Sequence, residues 1–263
     1  MRTLRVLQDS FPDDPALDTA VSRAMMHRVA AGELPETLRL ARPAAVVAFA
    51  KRDALSPGLL AAVAAARERG FGALLRLAGG RAAIFHEGTL ELAHAAPDPD
   101  AKAGIHARFE ATANLIASAL RQLGADARVG EVPGECCPGR WSVNTAGVRK
   151  LAGVGQRVVA GGSHTGAVIV VEGAERIREV LDPVYGALEL SWDPATVGAV
   201  EDEVEGGFGS LWEAVRDALL EAYAARYELV DGTLDPDTLA LARRLAPEHR
   251  PPFEAKASPR SGR

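Results

Sequence analysis

Residues 72–95, GALLRLAGGRAAIFHEGTLELAHA, alternate apolar and polar positions on both sides of the paired glycines Gly79-Gly80. That period of two belongs to half-buried sheet, and the stretch predicts a strand, a glycine turn, a strand, a turn and a third strand. Helical patterns flank it. Asp14-Pro15 opens one, with Leu17, Val21, Ala24, Met25 and Val29 at helical spacing and Gly32 as its stop. Ser56-Pro57 opens a second over 57–69, closed by Gly70, and a third runs from about 102 to 123 and ends at Gly124.

Ahead of this block TLRVLQD is strand-like, and TLRLAR and AVVAFA read as two strands joined through Pro43. After it come DARVG, a Pro/Gly loop, WSVNT, an Ala146-Gly147 turn, VRKLAGVGQRVVAG and SHTGAVIVVEG, all strand-like. Helices are expected near 174–182, 209–227 and 235–245; EDEVEGG at 201–207 reads as an acidic linker and 247–263 as a flexible tail. This order predicts an α+β fold of mixed, mostly antiparallel sheets flanked by helices rather than regular βαβ units.

A net charge of -5 argues against a general nucleic-acid binder. The charge is uneven: residues 39–160 hold 16 Lys+Arg against 10 Asp+Glu, or +6, leaving 14 against 25, or -11, elsewhere. No window approaches the roughly 18 apolar residues of a membrane span, and no basic-apolar leader opens the sequence, so a cytoplasmic setting is expected.

The only two cysteines, Cys136 and Cys137, are neighbours in GECCPGRWSVN. Adjacent cysteines pair only through a strained ring, and two are too few for a thiolate-rich zinc site; with no HExxH spacing, no metal is expected. A thiolate is the nucleophilic form of cysteine, and Lys150 lies one short hairpin away, where it can meet the loop across paired strands. Gly79-Gly80 lets a ligand approach the backbone N–H groups, flanked by Arg76 and Arg81, but the segment is neither a Walker loop nor a Rossmann fingerprint. Of the histidines, His27, His106 and His249 fall on helix or tail positions expected at the surface, and His94 and His164 on alternating strands.

RLAGGRAAIFHEGTL, GECCPGRWSVN and GVRKLAGVGQR, in that order, resemble the lipoate-protein ligase and octanoyltransferase superfamily, which is related to biotin protein ligases. ALDTAVSRAMM, PETLRLARPAAVVAFAKRD and GLLAAVAAARERGFGALLRLAGG extend the resemblance over about residues 14–185. It implies a biotin/lipoate protein ligase-like catalytic domain over 1–200, a helical extension of the same domain over 201–246 and the tail over 247–263. CPG, WSV and RKLAGVGQR are most similar to the cysteine-dependent octanoyltransferase (amidotransferase) branch, which moves octanoyl or lipoyl groups between carrier proteins through a thioester.

By that resemblance Cys137, directly before Pro138, is the nucleophile and Lys150 lies against the acyl carbonyl. Arg76, Gly79, Gly80, Arg81 and His86 fall in the motif lining the acyl pocket, and Gly153 and Gln156 join the substrate contacts. AAIFH, LAGVG and AVIVV would line a tunnel for the chain. No cofactor is implied. The implied partners are lipoyl-domain proteins, namely 2-oxoacid dehydrogenase E2 subunits and the glycine cleavage H protein, and octanoyl-acyl carrier protein. Cys136 departs from the branch, standing where an aromatic residue is expected, as do Arg81 and Ala82-Ala83. Two other readings are an ATP-dependent ligase, with an adenylate at the glycine motif and no role for the cysteines, and a non-catalytic acyl-binding module.

Overall fold

The computed structural model describes residues 1–251. Its elements are β1 (Arg2–Leu7), α1 (Pro15–Ala30), β2 (Thr37–Ala41), β3 (Val46–Phe49), α2 (Leu59–Glu68), β4 (Gly72–Leu75), β5 (Ala83–Phe85), β6 (Thr89–Pro97), α3 (Ile105–Gln122), β7 (Ala127–Val129), β8 (Val143–Thr145), β9 (Arg149–Val159), β10 (Gly162–Val170), α4 (Ala174–Ala187), α5 (Leu211–Ala224), β11 (Tyr227–Asp231) and α6 (Pro236–Leu245). One sheet has the order β11-β1-β2-β6-β10-β9-β8-β7, and β4-β3-β5 form a second. In the large sheet β1 pairs parallel with β11 and with β2, and every other pairing is antiparallel. The mixed, mostly antiparallel α+β fold is the one expected.

The predicted run of three strands over 72–95 is divided between the sheets. β4 and β5 both pair with β3, one parallel and one antiparallel, while β6 sits between β2 and β10 in the large sheet. β4 can lie parallel to β3 because α2 supplies the crossover that such a pair needs. Residues 76–82 are therefore not a hairpin turn but a loop spanning two strands that never touch each other.

Other boundaries shift for local reasons. α2 starts at Leu59, after Gly58; Ser56 Oγ accepts from the Gly58 N–H at 3.2 Å instead of capping a helix from 57. α4 continues through Pro183 to Ala187, and its apolar face (Ile177, Val180, Leu181, Val184, Tyr185) is buried against α2 and the small sheet. β11 was not expected: it is an edge strand with Glu228, Val230 and Asp231 exposed, so no buried face imposes an alternating pattern. Of the expected tail, 252–263 lies outside the described residues. His249, assigned to the surface, is 3% exposed and hydrogen-bonds the Leu75 carbonyl at 2.7 Å through Nδ1. Among the described residues no helix is long and apolar enough to cross a membrane.

Among the described residues the larger apolar clusters hold the layers together, α3 and α5 on the large sheet, α2 and α4 on the small sheet, and α1 with α6, and a smaller one lies within the small sheet. Beside α1 lies a small cavity of about 70 Å³ bordered by Asp18, Ser22, Glu91 and His164. His164 lies on an alternating strand as expected, paired on both sides in β10, and there it is buried, which pulls its imidazole down to about 4. Burial, reinforced by the Asp18 charge, pushes the Glu91 carboxyl up from 4.5 to about 7.

A carboxyl with a raised folded value holds its proton better in the folded state. The stability this contributes is complete below the unfolded value and is lost as pH rises through about 7. Glu91→Gln is therefore expected to raise Tm over the parent at about pH 8 and change it little at about pH 5. Thermal melts at the two pH values check this; an equal shift at both would show that ionisation of Glu91 is not the cause.

Candidate active site

The glycine segment and the cysteine loop meet at one point. Gly80 has φ +108°, and a Cβ built on it would lie 2.8 Å from Cys137 Sγ, so only glycine satisfies both the backbone and the space. The next residue, Arg81, donates its backbone N–H to Cys137 Sγ at 3.1 Å. Its guanidinium is 3.0 Å from Asp53, whose side chain is fully buried.

Cys137 itself sits at φ +47°, a left-handed conformation that costs about 1–2 kcal/mol for a residue with a Cβ. Its surroundings must hold it there. Glu135, 1% exposed, accepts from the Gly139 N–H and from Ser142 Oγ, both at 2.9 Å. Lys150 reaches in from β9: Nζ donates to the carbonyls of Cys136 and Cys137 at 3.0 Å each and stands 3.3 Å from Glu135 Oε2. A buried carboxylate and an ammonium thus clamp the two ends of the loop.

The two thiols differ in environment. Cys136 packs partly against the apolar cluster of α2 and α4, and burial pushes its thiol up to about 11. A thiol so displaced is a poor nucleophile near neutral pH. Cys137 Sγ accepts the Arg81 N–H and faces the glycine segment.

Both lie at a cavity of about 310 Å³, at the small end of the usual range for small-molecule sites. Its walls are mostly apolar and come from both sheets and two helices: Ile84 from β5, Leu151 and Val154 from β9, Val168 and Val170 from β10, Ile177 and Leu181 from α4, and Phe109 from α3. AAIFH, LAGVG and AVIVV thus each contribute to one wall. Arg76, Gly79, Gly80, Cys137, Lys150, Gly153 and Gln156 all border the cavity.

Two of the expected contacts differ. Arg81 reaches the site by its backbone, its side chain being engaged by Asp53. His86 is not among the cavity residues: it is 2% exposed, its Nδ1 accepts from the Gly88 N–H at 3.0 Å, and its ring lies against Gly88 and Gly173. Burial, with Arg176 second, lowers its imidazole, so it serves the turn into β6 as a neutral ring. Gln156 borders the cavity with its amide engaged, accepting from Arg108 at 3.0 Å and donating to the Ile105 carbonyl at 2.8 Å. Glu135, Asp53, Phe109 and the α4 residues were not anticipated. Only Glu135 left a signal, as an acidic residue inside the cysteine motif; the others are distant in sequence and ordinary in type.

The model for the lipoyl protein ligase A/B catalytic domain matches residues 14–205. An octanoyl-[GcvH]:protein N-octanoyltransferase of Geobacillus kaustophilus is 29% identical over 174 residues, 66% of this chain and 58% of that protein. Another of the same name from Anoxybacillus flavithermus is 33% identical over 165 residues, 61% of this chain and 59% of that one. The chain thus spans under three-fifths of the length of these two relatives. A lipoyl-[GcvH]:protein N-lipoyltransferase of Listeria monocytogenes is 25% identical over 248 residues, covering 89% and 88% of the two chains. Among solved structures, lipoate-protein ligase A bound with ATP superposes with a TM-score of 0.75 at 21% identity, covering 94% of this chain and 95% of that one. This last likeness concerns the fold. Because the family match takes in well over half of its residues, the chain belongs to the lipoyl protein ligase A/B catalytic domain family.

Proposed function

We propose that this protein is an acyltransferase of protein lipoylation, carrying an octanoyl or lipoyl group as a thioester on Cys137 and delivering it to a lysine of an acceptor protein. The observation that carries the reading is Cys137 Sγ accepting the Arg81 N–H at the rim of an apolar cavity. The names of the relatives support the acyl class and suggest the glycine cleavage H protein as one partner. Lipoyl domains of 2-oxoacid dehydrogenase E2 subunits and octanoyl-acyl carrier protein are the other partners in this reading.

In the first half-reaction the Cys137 thiolate attacks the acyl carbonyl carbon and the carbonyl oxygen takes up negative charge; as the carbonyl re-forms, the bond to the donor breaks and the donor's sulfur or lysine nitrogen leaves with the electron pair, the nitrogen taking a proton from water. Backbone N–H groups around Gly79-Gly80 are assigned to that charge. In the second, an acceptor lysine amine attacks the thioester carbon and Sγ leaves with its electron pair. From a thioester donor the enzyme thioester keeps the energy of the donor bond, from an amide donor the overall exchange is nearly isoenergetic, and in both one barrier is divided into two. As an ammonium Lys150 is assigned to the carbonyl oxygen, and a water takes the proton of the incoming amine. Each buried methylene of the chain contributes about 0.8 kcal/mol of binding against the apolar walls. The positive middle of the chain suits an acidic acceptor surface through steering.

Intact-mass analysis tests this. The protein is incubated without ATP with octanoylated H protein or octanoyl-acyl carrier protein, alongside Cys137→Ser and Cys136→Ser. A hydroxylamine-labile adduct lost only in Cys137→Ser, and chased onto a lipoyl domain, is the expected result. Modification that requires ATP and free octanoate or lipoate would replace this reading with the ligase. Bound acyl group with no turnover would leave a binding module.

A further inference from the structure

The carbonyls of the three consecutive residues that begin at Gly80, beside Cys137, are each held by a side chain, one from the same loop and two from elsewhere in the chain. Gly80 O accepts from Arg52 Nε at 2.7 Å, Arg81 O from Arg76 at 3.0 Å, and Ala82 O from the Tyr185 hydroxyl at 3.1 Å. The Gly80 carbonyl and the Arg81 N–H belong to one planar trans peptide group, in which the two dipoles point in opposite directions. Arg52 on one edge of that plane therefore aims the N–H on the other edge at Cys137 Sγ. Its positive charge also polarises the group and strengthens the donor. Asp53, adjacent to Arg52, grips the Arg81 side chain and also accepts the Ala50 N–H at 3.0 Å, so the β3 end and the loop cannot drift apart.

We propose that Arg52 and Tyr185 are positioning residues for Cys137, acting through the Gly80–Ala82 backbone, with Arg52 coupled to the thiol across a single peptide group. The proposal rests on Cys137 being the reactive thiol. It accounts for an exposed arginine turned onto a loop carbonyl and for a buried tyrosine hydroxyl aimed at the segment. The charged and titratable groups around the thiol are Arg76, Arg81 and Asp53 on the glycine side, Glu135 and Cys136 on its own loop, Lys150 from β9 and Tyr185 from α4.

The test reads the thiol without requiring acyl transfer. In a Cys136→Ser background, alkylation of Cys137 by iodoacetamide is followed from about pH 6 to 9.5, bracketing the ordinary thiol range, for the parent, Arg52→Ala, Arg52→Lys and Tyr185→Phe. Arg52→Ala is expected to react about five- to tenfold more slowly near neutral pH, the worth of one ordinary hydrogen bond, because the charge acts on the thiol only through the peptide group. Its pH midpoint moves up, Tyr185→Phe changes in the same direction, and Arg52→Lys recovers part of the loss. Arg52 is on the surface, so its variants remain informative if Tyr185→Phe fails to fold. An unchanged rate and midpoint in Arg52→Ala would overturn the proposal, as would a slower rate with an unmoved midpoint, which marks altered access only. A shifted midpoint with no acyl adduct in the mass assay would sink the thioester reading and leave the positioning role standing.

Discussion

Lys150→Met is expected to reduce acyl transfer by about 10²- to 10³-fold, the cost of removing one preorganised donor at a developing oxyanion. The argument also has a structural side. Nζ holds the Cys136 and Cys137 carbonyls and faces Glu135, so methionine removes two hydrogen bonds and leaves a carboxylate at 1% exposure without its cation. An unpaired buried charge costs about 3–5 kcal/mol, and the strained φ of Cys137 would no longer be enforced. A second substitution separates the two effects. Glu135→Gln combined with Lys150→Met removes the stranded charge, so the double variant is expected to regain much of the lost stability but little of the transfer rate. Single-turnover transfer and thermal melts on the parent, both single variants and the double variant provide the comparison. Transfer restored together with stability would reduce Lys150 to a structural clamp.

The second large effect concerns the fold. Arg39 is fully buried on β2: its guanidinium pairs with the Asp18 carboxylate and donates to the Asp9 carbonyl at 2.9 Å and to Ser22 Oγ at 3.3 Å. These bonds join the large sheet to α1 and to the segment entering it. Arg39→Met keeps most of the volume and deletes the charge, leaving Asp18 buried beside Glu91. The loss is expected at about 3–5 kcal/mol, the figure for breaking a buried ion pair by removing one partner. Urea unfolding measures it. Adding Asp18→Asn should recover part of the loss, because the remaining partner is then neutral; a single-variant loss below about 1 kcal/mol would mean that water reaches the site and screens the pair.

Much of this was legible from local pattern. Period-two alternation located most strands, and Asp14-Pro15 marked α1, whose first turn is capped by the Asp14 side chain. Where the pattern had no buried face behind it, as in β11, it was silent. His86 illustrates a different limit. Its place in a recognisable motif suggested the pocket, yet the motif's backbone turns so that the ring meets Gly88 and Gly173. Arg81 follows the same logic: the loop uses its N–H and leaves its side chain to Asp53.

The sequence by itself determined the α+β class through local pattern and the family through the resemblance of its motifs, and it pointed to a meeting of the cysteine loop with Lys150 because only a short hairpin separates them. Only the tertiary structure decided which sheet each strand of 72–95 joins and that Glu135 lies under the cysteine loop. It alone also showed that Arg52, Asp53 and Tyr185 brace the peptides facing the thiol. Those contacts join residues up to 103 positions apart, as between Tyr185 and Ala82. A hydrogen bond of that kind has no local period to announce it, since it arises only when separate layers pack and buried backbone groups must find partners.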